Sequence, residues 1–176
     1  MEISTRVSVC LIAAAISFGS LPAFAGHQDC KLGGTYGYLY NGTSYGPSGA
    51  TPLTETGVLT VDEHGGVRGE GALAFQFSSF GAGGPLWLLL NEVQSGVNSV
   101  TPSPNNACVG TIDFFATATV IKTSDPARVP EGTVLFSNKP RSIAYTISGS
   151  KNEIVDLIST SPGTIASGTA HKQEKN

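Results

Sequence analysis

The chain has 176 residues, 10 Lys+Arg against 13 Asp+Glu, a formal net charge of −3 and 22 glycines. The charges are scattered, so no basic stripe is available to neutralise phosphates, and nucleic acid is not an expected partner. No Lys/Arg-rich amphipathic segment is present that could lie on a membrane surface.

In chain order, the first feature is a signal peptide over residues 1–25. Met1–Arg6 is a short polar start, and Val7–Phe18 is a run of small and apolar residues. Gly19, Ser20 and Pro22 then break the helix, and Ala23-Phe24-Ala25 has the small-x-small form that signal peptidases cut. The apolar run is shorter than the roughly 20 residues that span a bilayer, so the chain is not expected to span a membrane after cleavage. The mature chain then starts at Gly26 and keeps two cysteines, Cys30 and Cys108. In the oxidising compartment that export implies, periplasmic or extracellular, such a lone pair is expected to bond. The loop it closes is long enough for about 4 kcal/mol of stabilisation in the chain-entropy model.

Residues 26–172 read as one all-β domain, and 173–176 as a disordered tail. Leu32–Tyr40 places Tyr36, Tyr38 and Tyr40 on one strand face, among Gly33, Gly34 and Gly37. Asn41–Pro52 reads as a polar loop. Thr56–Asp62, the turn Glu63-His64-Gly65-Gly66 and Val67–Phe77 form the clearest hairpin, with Leu73, Phe75 and Phe77 sharing a face. After a Gly-rich turn, Pro85–Val93 sets Leu86, Leu88 and Leu90 opposite Trp87 and Leu89; it is apolar on both faces, as expected of a buried or ligand-lined strand.

Gln94–Asn106 reads as a loop that could gate a barrel mouth or carry a contact surface. Cys108–Lys122 alternates Ile112, Phe114, Ala116, Ala118 and Val120 against Asp113, Phe115, Thr117, Thr119 and Ile121. Further strands are expected at 132–137, 142–148, 153–160 and 164–172. About eight strands with hairpin-type turns predict a single antiparallel up-and-down closed barrel, which also removes exposed edges. A β-sandwich is the alternative, because alternation alone does not separate the two. An outer-membrane barrel fits less well: the strands at 133–137 and 142–148 are short, and the chain ends in a charged tail.

The opening Cys30-Lys31-Leu32-Gly33-Gly34-Thr35-Tyr36-Gly37-Tyr38 resembles the C…L…G-T-Y-G-Y start of small exported bacterial proteins of uncharacterised function. Gly57–Asp62 with Gly65–Gly69, the strand start Cys108-Val109-Gly110-Thr111, and the closing Gly163–Ala170 look like later segments of the same group. The resemblance implies a small calycin-type or allene-oxide-cyclase-like barrel. Each motif marks structure and not chemistry, so function does not follow from it.

No catalytic residue is expected. G-x-S-x-G is absent, and both mature cysteines are assigned to the bridge. His27, His64 and His171 lack metal-ligand spacing, so no metal is expected, and no cofactor is implied. Asn41-Gly42-Thr43 fits the glycan-acceptor pattern but reads as a turn. Glu92, Asp113 and Asp156 lie within apolar strands, and any that turned inward would be a candidate acid or base.

The aromatic residues Tyr36, Tyr38, Phe75, Phe77, Trp87 and Phe115 are the candidate ligand-binding set, since an eight-stranded barrel can hold one small ligand. A small apolar or amphipathic ligand is thus the expected partner. Two alternatives stand beside it: an envelope or extracellular protein-interaction module, and a cyclase-like barrel enzyme that works by holding its substrate and excluding water.

Overall fold

The computed structural model describes residues 30–46, 49–80, 83–148 and 154–174; the expected signal peptide lies outside them. The described residues form nine strands: β1 (Gly34–Gly46), β2 (Gly49–Val61), β3 (Val67–Phe77), β4 (Leu86–Gly96), β5 (Val100–Ser103), β6 (Asn106–Thr123), β7 (Val134–Ser148), β8 (Ile154–Ser159) and β9 (Thr164–Lys172). They make one antiparallel sheet in the order β4-β3-β2-β1-β9-β8-β7-β6-β5, and an additional β4–β6 pairing closes eight of them into a barrel-like ring. That closure decides between barrel and sandwich. β5 stays outside the ring as a short flap on the first part of β6.

Three expected loops and gaps turn out to be strand, each for a local reason. Asn41–Gly46 has the polar composition of a loop, yet it pairs with β2 throughout and, as far as Ser44, with β9 on the other side. Two flanking ladders outweigh its weak strand propensity. β4 runs past Val93 to Gly96 because β3 and β6 both pair with its end. The two strands expected at 132–137 and 142–148 are one, β7. Asn138, at φ 54°, and register shifts opposite Ala116–Thr119 carry the chain through the intervening residues. Pro140 is tolerated in β7 because β8 pairs only from Ile143 onward, leaving Pro140 at an edge.

Alternation sets what fills the ring. Along β4, Leu86, Leu88, Leu90, Glu92 and Gln94 are buried, whereas Trp87 and Val93 are exposed. Along β6, Ile112, Phe114, Ala116, Ala118 and Val120 face in, and Asp113 and Phe115 face out.

Each end of the ring is covered. At the β3–β4 turn, Phe77 stacks edge-on to Phe80 at 5.0 Å and tilts against Phe75 at 5.7 Å. Arg128, from the β6–β7 connection, straps that turn: it donates to the carbonyls of Phe80, Gly84 and Pro85 and pairs with Asp125 at 2.7 Å. This hydrogen bond holds the Asp125 carboxyl below its usual range. At the other end, the segment before β1 buries Leu32 and Cys30 and is fixed to the start of β6 by the Cys30–Cys108 disulfide. That bond suits an oxidising, non-cytoplasmic environment. No helix among the described residues is long and apolar enough to cross a membrane. The Gln173 amide donates to the Thr35 carbonyl at 2.8 Å, tying the first residue after β9 to the ring.

Candidate functional site

Five polar side chains meet inside the ring. The Tyr38 hydroxyl donates to Glu55 Oε1 at 2.6 Å. Gln94 Nε2 donates to the Tyr38 hydroxyl at 2.9 Å, to Glu55 Oε1 at 2.8 Å and to Glu92 Oε1 at 3.1 Å. Arg141, with a side chain 10% exposed, spans both carboxylates: Nη1 faces Glu92 Oε2 at 3.5 Å and Nη2 faces Glu55 Oε2 at 3.4 Å. β1, β2, β4 and β7 each contribute to the cluster.

Glycine makes room for it. Gly57 and Gly71 are register partners on β2 and β3. A Cβ at either would sit within 2.9 Å or 2.5 Å, respectively, of the Tyr38 hydroxyl.

The charges of this cluster do not cancel. Two ionised carboxylates against one guanidinium leave one negative charge in a low-dielectric interior, which a proton removes. Glu92, at 0% exposure, is the group that takes the cost. Burial, reinforced by the Glu55 charge and opposed by Arg141, pushes its carboxyl up to about 7. Burial and the Glu55 carboxylate likewise raise the Tyr38 phenol well above its normal range.

A buried group poised near neutrality is a functional candidate, but the cavity bordered by its cluster partners is small. The cavity lined by Tyr38, Tyr40, Glu55, Gln94, Phe114 and neighbouring aliphatics measures about 20 Å³, enough for roughly one water molecule. The Tyr40 hydroxyl and Arg141 Nε are buried without a hydrogen-bond partner among the described residues.

The six aromatics expected to line a ligand site do not converge. Tyr36 and Tyr38 are buried in the ring, and Phe75 and Phe77 pack on the core at the β3–β4 end. Trp87 and Phe115 face outward, at 40% and 48% exposure. Of the two apolar faces of β4, one packs into the ring and the other carries Trp87 and Val93 to the exposed side. Of the three acidic residues singled out, Glu92 alone points in; Asp113 and Asp156 are exposed.

Glu55, Gln94 and Arg141 were not anticipated. Each lies just beyond an expected strand boundary, where alternation is no longer counted. Extending the β2 pattern back through Leu59 and Gly57 would have placed Glu55 on the inward face.

The larger space is on the outside. A groove of about 330 Å³ is lined by residues 96–99 after β4, by Asp113 to Phe115 of β6, by Pro140 to Ser142 of β7, and by Ser161 and Pro162. Its two rims are held in place. The Asp113 amide donates to the Ser99 carbonyl at 2.8 Å. Ser161 Oγ accepts from the Ser142 amide at 2.8 Å and donates to the Ser142 carbonyl at 3.2 Å. Val97, 88% exposed, and Phe115 supply apolar surface.

These features define a closed antiparallel barrel with a filled, partly charged interior and a pre-formed outer groove. No protein-family model, no curated protein and no solved structure matches the chain.

Proposed function

We propose that this is an exported binding module, periplasmic or secreted, whose small amphipathic ligand sits in the outer groove and not within the barrel. One contrast carries the reading. The groove offers about 330 Å³ and the interior cavity about 20 Å³, whereas small-molecule sites occupy about 300–1,000 Å³. Rims already fixed by the Asp113–Ser99 backbone bond and by the Ser161 hydroxyl on the Ser142 backbone would spare a ligand the cost of ordering them. The disulfide and the signal-like N-terminus support export. A cyclase-like enzyme would have to enclose its substrate, and the interior cavity bordered by Tyr38, Glu55 and Gln94 is of water size.

The test is equilibrium binding of the neutral amphipathic dye Nile red to the folded, disulfide-intact protein. Saturable binding is expected, lost in Phe115→Ser and kept in Trp87→Phe. Trp87 lies nine residues along β4 from Gly96, roughly 30 Å at strand rise, so its emission should not change. Dye binding that survives Phe115→Ser and is lost on Trp87→Phe would overturn the reading.

A further inference from the structure

The groove presents three polar side chains with little or nothing to bond. Asn98 and Ser142 make no side-chain hydrogen bond among the described residues, and the Asp113 carboxylate has only a 3.5 Å contact from Thr111. Beside them lies the half-exposed ring of Phe115, two residues along the same face of β6 from Asp113. The cation nearest to hand, Arg141, is committed inward to Glu55 and Glu92.

This set discriminates among ligand chemistries. An anion would meet the Asp113 carboxylate and no free cation. A purely apolar ligand would cover Phe115 but strip water from three unpaired polar groups, which is unfavourable. An amine would pair with Asp113 but, having no acceptor, would leave the Asn98 amide donors without a partner. A molecule with a C–H face for the ring and hydroxyls around its edge satisfies all four, because a hydroxyl both donates and accepts. Asn98 and Ser142 have the same dual capacity, and Asp113 accepts. The rigid rims limit the entropy lost on binding.

From this juxtaposition of Phe115, Asp113, Asn98 and Ser142 we infer that the groove is a saccharide site, taking a neutral sugar with one ring face on Phe115. This rests on the outer groove being the binding site and adds the class of ligand. Asp113 accepts from ring hydroxyls, Asn98 both accepts from and donates to them, and Ser142 does so from the opposite rim.

The experiment is an amide chemical-shift titration of the isotope-labelled, disulfide-intact protein. The probes are glucose, galactose, mannose, N-acetylglucosamine and their α- and β-linked disaccharides, with phenethylamine and octanol as non-sugar comparators. At least one sugar should shift Val97, Asp113 and Phe115 saturably. Phe115→Ala and Asp113→Asn should each weaken it by about tenfold or more while leaving the urea midpoint unchanged, since both side chains are outward. If phenethylamine or octanol shifts these resonances and no sugar does, the saccharide assignment is wrong and the groove remains the binding site. If no probe shifts them, both readings fail.

Discussion

The interior of the ring and its outer groove invert the usual relation between charge and opportunity. Inside, Glu55, Glu92 and Arg141 form a buried charged cluster, with the Glu92 carboxyl pushed up to about 7, near a cavity of about 20 Å³. Outside, Asp113, Asn98 and Ser142 are unremarkable in charge but border about 330 Å³. The contrast teaches that a shifted carboxyl marks where burial is costly, and a ligand site also needs volume and unspent hydrogen bonds. The two meet on β6: Phe114 borders both spaces, whereas Phe115 borders the groove alone.

The sharpest way to break that contrast is to remove the cation that compensates the interior. Arg141→Met leaves two buried carboxylates with no counter-charge, and losing one partner of a buried ion pair costs about 3–5 kcal/mol. We expect a loss of that size in urea unfolding at pH 8. The loss should shrink at pH 5, where protonation relieves the repulsion. A variant as stable as the parent at pH 8 would mean that Arg141 does not hold the cluster together.

A somewhat smaller effect follows from Glu92 itself. The folded barrel raises this carboxyl from 4.5 to about 7, so between those values the folded state binds more protons than the unfolded one. Its contribution therefore favours folding at low pH and is lost as pH rises from about 4.5 to about 7, with little change above; the span corresponds to about 3 kcal/mol. Glu92→Gln should flatten this slope and be more stable than the parent above pH 7. An unchanged slope would place the proton elsewhere.

How much of this was legible in the sequence depends on how far each alternating run could be followed. The inward rows of β3, β4 and β6 were readable because Leu73, Leu88, Phe114 and Val120 repeat every second residue, and the β2–β3 hairpin announced itself at Asp62–Gly66. There Asp62 accepts from the His64 and Gly66 amides at 2.9 and 2.8 Å. The closure between β4 and β6 was an expectation from strand number and edge protection; no local residue encodes it. The interior cluster was not legible, because Glu55, Gln94 and Arg141 occupy strand ends whose polar neighbours read as loop, and they meet only when strands distant in sequence are wrapped into a ring. Trp87 and Phe115 part from the other four aromatics because alternation puts these two outside, and of the two Phe115 lines the groove. The groove depends on the backbone hydrogen bond from Asp113 to Ser99 and on the Ser161 hydroxyl bonded to the Ser142 backbone, which hydrophobic alternation does not reveal.

The central claim is that binding occurs on the outer face of β6 and β7 while the interior stays closed. Amide hydrogen–deuterium exchange, with and without a saturating groove ligand from the dye or sugar screens, tests it most directly. Protection is expected at residues 96–99, 113–115 and 141–142, with no change at 53–59 and 88–94. Protection confined to those interior-facing strand segments, with the groove unaltered, would contradict it.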